Sequence, residues 1–299
     1  MDPLISVDAL ARRLDDADAD GVVVDGVAVI DVRWRLGGPP TLDDFLAGHI
    51  PGAVWADLDS TFAGTPGRGG RHPLPEPAHL QHALHGLGIH DGTAVVVYDD
   101  ADSTAAARAW WVLRWAGLAD VRVLDGGLAA WAASGRALEA GPARHPAAAG
   151  TVTVRAGGMP AVEAAGAADL ARVGILLDAR AAARYRGDLE PIDPVAGHIP
   201  GARSAPTDAN VAADGRLLPA TELRRRFAEI GVGTDIAVGA YCGSGVTAAH
   251  TILALEVAGF TAALYPGSWS EWITDPARAI ATGVETRSRP NREGECRRA

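Results

Sequence analysis

Cys242 is one of two cysteines in 299 residues and stands in the stretch AYCGSGVTAAH, residues 240–250. An apolar run precedes it, and glycines and small hydroxyl residues follow. After an apolar strand, a free cysteine is ordinarily a small buried hydrophobe. Here the surroundings favour a nucleophile. The run DIAVGAY predicts a strand ending at Tyr241, and a helix is predicted to start at Val246 or Thr247. That places Cys242 at the C-terminal edge of a parallel sheet, where α/β folds hold their ligands. Gly243 and Gly245 free the backbone so that consecutive N–H groups, those of Val246 and Thr247 at the helix start included, can converge on one atom. Such donors stabilise an anion, whether a thiolate or an added sulfur atom carrying negative charge. Nothing in the loop requires a metal.

Cysteine loops on such sheets support two kinds of chemistry. Cysteine-dependent phosphatases and arsenate reductases close the loop with an arginine six residues after the cysteine, which holds the oxyanion. Position 248 is alanine, so phosphate chemistry loses its main electrostatic element. The loop carries no cation and does carry a hydroxyl, Ser244.

Composition narrows the field further. There is no lysine, so all 27 basic residues are arginine; this removes Schiff-base catalysis, lysine-bound pyridoxal phosphate and any phosphate loop that needs its lysine. Two cysteines are too few for thiolate zinc sites, iron–sulfur clusters or a disulfide framework, which makes a reducing cytoplasm the default. No HExxH-like spacing occurs among the nine histidines, and neither a metal nor an organic cofactor is expected. A net charge of −10 argues against nucleic acid as a partner. No apolar run is long enough to span a bilayer, and the acidic start MDPLISVDALARRLDDADAD lacks the regions of a signal peptide.

The elements that must position Cys242 are written twice. GHIPGA occurs at 48–53 and again, identically, at 197–202. An apolar strand ending in Asp-x-Arg precedes each copy, as VAVIDVR and GILLDAR. Another strand follows each, TAVVVYDD and DIAVGAYCGSG, and then a helix and a glycine turn before tryptophan, LDGGLAAW and LYPGSWSEW. A repeat this long reads as a duplicated domain, since solenoid units are far shorter. Strands alternating with helices indicate α/β domains, each a mainly parallel sheet with helices on both faces. We expect an N-terminal domain over 1–138, a linker rich in Ala, Gly and Pro over 139–160, a catalytic domain over 161–285 and a loose tail over 286–299. Asp99 of VYDDADSTAAA aligns with Cys242, so the first domain is read as inactive.

GHIPGA twice, the LDGG and SWSEW turns and CGSGVT together resemble the two-domain rhodanese superfamily of sulfurtransferases, from about Ile5 to Gly283. CGSGVT is similar to the loop of its 3-mercaptopyruvate sulfurtransferases, whereas its thiosulfate sulfurtransferases typically carry basic residues after the cysteine. The resemblance implies two tandem α/β domains with the site near their interface. It implies a Cys242 persulfide that passes sulfur from 3-mercaptopyruvate to cyanide or a thiol, thioredoxin among the acceptors. Thiosulfate is the alternative donor; a persulfide carrier with little free turnover is the alternative of another class. Proton accounting favours mercaptopyruvate, because loss of its sulfur leaves an enolate that needs a proton, whereas sulfite leaves thiosulfate without one.

By the same resemblance, Ser244 is linked to His72, in GRGGRHPLP, and to Asp59, in HIPGAVWADLDS. Arg184 matches a substrate-binding arginine, since a planar guanidinium suits a carboxylate. The second arginine usual in that family is missing from EPIDP, and Arg186 is the candidate to replace it. Arg180 reads as structural, because Arg33 occupies the same place in the inactive copy. Trp269 and Trp272 are expected in the core or at the mouth of the site, His250 in ordinary packing or at the surface, and Cys296 in the charged tail.

Overall fold

The computed structural model describes residues 2–19, 27–143 and 149–284. The expected tail and Cys296 lie outside them. The first repeat runs β1 (Leu4–Ile5), α1 (Val7–Ala19), β2 (Ala28–Asp31), α2 (Leu42–Ala47), β3 (Val54–Trp55), α3 (Leu58–Thr61), α4 (Pro77–Gly86), β4 (Val95–Tyr98), α5 (Thr104–Trp115), β5 (Val121–Leu124) and α6 (Gly127–Ala133). The second runs α7 (Ala164–Val173), β6 (Ile175–Asp178), α8 (Ala182–Arg186), β7 (Arg203–Ser204), α9 (Ala220–Glu229), β8 (Val238–Tyr241), α10 (Val246–Val257), β9 (Ala263–Leu264) and α11 (Ser268–Trp272), with a 3-10 turn at Thr207–Asn210.

Each repeat forms its own parallel sheet, in the orders β1-β5-β4-β2-β3 and β7-β6-β8-β9. The registers correspond: Asp31 lies opposite Tyr98 and Asp178 opposite Tyr241. Side chains alternate across the sheets as the period of two requires. In β4, Val95 and Val97 enter one core while Val96 and Tyr98 enter another. In β8, Val238 and Ala240 share that first core, Cys242 joins it two residues on, and Tyr241 turns to a third. Cys242 therefore belongs to the sheet face that looks towards the other domain.

The first core runs through both domains because α5 packs against α10. Residues Ala105–Leu113 of α5 and Ala248–Leu255 of α10 are buried throughout, as expected of helices that are apolar on nearly all sides. The described residues 149–162 between the repeats are docked on the domains. Val152 is buried, Gly150 N donates to His85 O, and Arg155 N donates to Ala116 O. Pro160–Val162 then runs beside β9 and donates from Val162 N to Leu264 O.

The duplicated hexapeptide and the Asp-x-Arg motif explain each other. Arg180 at the end of β6 binds Asp178 through Nε and Nη2 and reaches Gly197 O of the second GHIPGA at 2.7 Å. Arg33 does the same with Asp31 and, at 3.0 Å, with Gly48 O of the first. Tyr98 and Tyr241 each accept from the Ile N–H of their hexapeptide. Both ion pairs are buried, with the two aspartates fully so, and a buried charge left without its partner costs about 3–5 kcal/mol. Arg33→Met is accordingly expected to lower the stability of the first domain by about 3 kcal/mol. Urea unfolding followed by tryptophan fluorescence checks this, and an unchanged midpoint contradicts it.

Candidate active site

Cys242 leaves the C-terminal end of β8 at 2% exposure, and its Sγ accepts a hydrogen bond from Gly245 N at 3.1 Å. Gly245 has a φ of +81°, and a Cβ there would stand 2.5 Å from Pro266 O, so only glycine fits this turn. The PGSWSEW turn holds the loop from the side. Cys242 N donates to Ser268 Oγ at 3.1 Å, while Trp269 N and Ser270 N donate to the carbonyls of Cys242 and Gly243. The loop opens on a cavity of about 290 Å³ lined by residues of both domains, among them Trp34, Arg71, Arg180, Arg184, Asp208 and Thr247.

The loop of the first copy shows what such a turn holds. Asp99 is 1% exposed, and its carboxylate accepts from Ala101 N, Ser103 N and Ala106 N at 2.9–3.0 Å. Burial pushes its pKa upward, and the three N–H donors oppose that rise. By the alignment of the repeats, the matching N–H groups belong to Ser244, Val246 and Ala249. At Cys242 the N–H that reaches the sulfur is that of Gly245, so a neutral backbone donor serves there too.

The structure brings Ser244, His72 and Asp59 together. His72 Nδ1 lies 2.7 Å from Ser244 Oγ, and Nε2 lies 3.2 Å from Asp59 Oδ1. A carboxylate only accepts, so Nε2 carries the ring proton and Nδ1 accepts from the serine hydroxyl. Trp34 completes the arrangement: its Nε1 donates to Asp59 Oδ1 at 3.0 Å, and its ring meets His72 edge-on. Behind them lies Arg108 of α5, with no exposure at all. It donates to Phe62 O, His72 O and Pro73 O, and at 3.4 Å to Gly245 O. One guanidinium thus ties the His72 segment of the first domain to the cysteine loop of the second. Burial lowers the pKa of Arg108 to about 10, and the Cys242 sulfur acts against that shift, so the group stays cationic near neutral pH.

Arg184 faces the cavity, and Arg186 does not. Residues two apart on a helix lie on opposite sides, and Arg186 is 39% exposed in an ion pair with Asp188. The arginine that stands beside Arg184 is Arg71, from the other domain. A Cβ at Gly243 would lie 2.9 Å from Arg71 Nη2 and 3.6 Å from Arg184 Nη2. Of the other loop residues, Gly243, Ser244, Val246 and Thr247 line the cavity, and Gly245 contributes its N–H. Trp269 and Trp272 are packed in the third core rather than at the mouth, where Trp34 stands instead. His250 is fully buried. Arg71, Arg108 and Trp34 are absent from the sequence reading; for Arg71 the available signal was its place beside His72. Among the described residues, no group of three or more His, Cys, Asp or Glu is placed to hold a metal ion, and no helix is long and apolar enough to cross a membrane.

Comparison with known proteins bears on this geometry. The family described as Rhodanese-like domain matches residues 6–134 and 161–275. A Pseudomonas aeruginosa protein named probable 3-mercaptopyruvate sulfurtransferase is 45% identical over 295 residues, covering 94% of this chain and 98% of its own. A Mycobacterium tuberculosis protein named putative thiosulfate sulfurtransferase SseB is 45% identical over 272 residues, covering 87% and 92%. The crystal structure of the 3-mercaptopyruvate sulfurtransferase SseA from Escherichia coli superposes with a TM-score of 0.77 at 32% identity, covering 91% of this chain and all of that one.

Two buried histidines give the fold a defined acid response. Burial lowers the pKa of His72 to about 4; Asp59 pulls it upward, while Arg108 and Arg71 push it further down. Burial likewise lowers that of His250 to about 4. Unfolded histidine takes up its proton near pH 6.5, so between about 6.5 and 4 the unfolded chain binds more protons than the folded one. The stability these residues give is fully present above pH 6.5 and is lost as pH falls towards 4. The thermal unfolding midpoint should drop over that interval and drop less in His250→Met. Equal slopes for the two proteins would count against a neutral buried His250.

Proposed function

The chain belongs to the rhodanese family and is a sulfurtransferase, and we propose that it takes its sulfur from 3-mercaptopyruvate through a Cys242 persulfide. The supporting observation is the continuous contact from Asp59 through His72 to Ser244, which ends in the cysteine loop. The Cys242 thiolate attacks the donor sulfur. A new S–S bond forms, the C–S bond breaks, and its electron pair passes to carbon as the enolate of pyruvate. The donor's thiol proton must move from sulfur to that carbon. Ser244 stands beside Cys242 and can hand a proton on, while His72 takes up and returns it through Nδ1. The balance is one thiolate and one mercaptopyruvate in, one persulfide anion and one pyruvate out. The persulfide then gives its outer sulfur to cyanide or to a thiol, and the thiolate returns.

Arg184 is the carboxylate-binding group in this reading, and Gly243, Gly245, Val246 and Thr247 form the cradle of the charged sulfur. A thiol acceptor such as reduced thioredoxin, and a cytoplasmic setting that keeps Cys242 reduced, fit a chain with two cysteines. Thiosulfate is the second reading, supported by the guanidiniums of Arg71 and Arg184 at the mouth, cations that the loop itself lacks.

Intact mass after exposure to either donor is expected to rise by one sulfur atom, and the gain should vanish in Cys242→Ser. No adduct with either donor would overturn the persulfide. An adduct that reaches neither cyanide nor reduced thioredoxin would make the protein a carrier. In steady-state assays, His72→Ala is expected to slow turnover of mercaptopyruvate about 100-fold while leaving persulfide formation from thiosulfate nearly intact, because sulfite leaves without a proton. Equal losses with both donors would remove the proton relay.

A further inference from the structure

We propose that Arg71 is the second cation of the donor site, supplied across the domain interface, and that Asp193 is the carboxylate that cancels its charge and tunes the site to a singly charged donor. This rests on the reading of Cys242 as the sulfur-accepting group.

The geometry of the mouth carries it. Arg184 is on the wall of the catalytic domain and Arg71 comes from the segment just before His72, yet both guanidiniums stand over Gly243 within reach of a donor bound at Cys242. Arg71 is anchored at its backbone, where N donates to Ser270 Oγ at 3.0 Å. At its head, both terminal nitrogens bind the carboxylate of Asp193. Its buried Nε makes no hydrogen bond among the described residues, so one donor of the fork is unused. Asp193 is a shared partner, because Arg184 Nη2 also reaches it, at 3.1 Å. Glu190 holds Arg184 from the other side at 2.6 and 3.1 Å and contacts Arg180 at 3.3 Å.

Asp193 and Glu190 are buried carboxylates, with side chains 2% and 4% exposed. Arg71 and Arg184 are balanced by Asp193 and Glu190, and Arg180 is balanced by Asp178. Asp208 adds a further acidic group to the lining. The site presents planar donors without net positive charge. A carboxylate bearing one charge can share Arg71 and Arg184 with Asp193 by filling the remaining donor positions of the two forks. Repulsion from Asp193 grows with ligand charge, so a dianion such as thiosulfate meets about twice the penalty. EPIDP, which lacks an arginine, thus contributes the acid that organises two others.

The test measures kcat and KM separately for both donors, with cyanide as acceptor, in the wild-type protein, Arg71→Met, Arg71→Lys and Asp193→Asn. Thermal unfolding of each variant is followed in parallel. Arg71→Met is expected to raise KM for mercaptopyruvate about tenfold or more with kcat nearly unchanged, the loss of one charge-assisted contact. Arg71→Lys keeps the charge and loses the fork, so its KM should fall between the two. Asp193→Asn removes one negative charge from the site and should raise the ratio of kcat/KM for thiosulfate to that for mercaptopyruvate about fivefold, charge acting more strongly on the dianion. An unchanged KM in the Arg71 variants, a loss confined to kcat, or a donor ratio in Asp193→Asn that stays or falls would overturn the assignment. Should Arg71→Met fail to fold, Arg71→Lys and Asp193→Asn decide the matter. A wild-type protein that prefers thiosulfate sinks the mercaptopyruvate reading and the role of Asp193, while the KM for thiosulfate in Arg71→Lys still reports on Arg71.

Discussion

The packing of α5 against α10 is the constraint on which the site depends. Neither sheet alone can form the site, because the cysteine loop ends one domain's central strand while the histidine, its aspartate and the covering tryptophan belong to the other. Burying two nearly all-apolar helices against each other fixes the domains in one register. Arg108 turns that packing into chemistry. Rising from α5 with no exposure, it spends its donors on carbonyls flanking His72 and on the loop glycine. A cation without a carboxylate partner is costly to bury; here four carbonyl oxygens and the nearby sulfur of Cys242 compensate it.

Duplication supplied a scaffold in which one position could diverge while its surroundings stayed the same. Both copies keep the Asp-x-Arg brace on GHIPGA, the tyrosine that caps it and the loop that begins a helix. In the first copy the loop encloses a carboxylate that is part of the chain, so nothing from solution can enter. In the second, a thiol and a glycine-opened turn leave the donors for an exchangeable atom. The first domain nevertheless takes part in the site, since it supplies His72, Asp59 and one wall of the cavity.

Charge at the mouth is arranged differently from charge in the loop. The loop sets a neutral N–H group against Cys242 Sγ, as its copy sets three against the Asp99 carboxylate. The mouth uses guanidiniums whose charge is already matched by buried carboxylates. In the proposed donor site, recognition rests on fork geometry and on how much extra charge the ligand brings, rather than on a positive field.

Much of this was legible in the chain. The repeat, the strand ending at Tyr241 and a helix starting at Val246 or Thr247 are local patterns of period and glycine placement, and the structure ends the strand at Tyr241 and starts the helix at Val246. Ser244, His72 and Asp59 were reached by resemblance, since no spacing rule joins residues so far apart. Arg186 is the candidate that its closeness in sequence to Arg184 suggests, yet the helix turns it away, and Arg71 stands there instead. Trp34 and Arg108 gave no signal, as their partners are backbone carbonyls or, for Trp34, a carboxylate and a ring in other segments. The sequence by itself determined that the chain folds as two like α/β domains and that Cys242 follows a strand in a glycine loop that leads into a helix. Only the tertiary structure decided which arginines, which acid and which tryptophan surround that loop. Local periodicity fixes the direction of a side chain within its own element, whereas the burial of α5 on α10 fixes which elements meet.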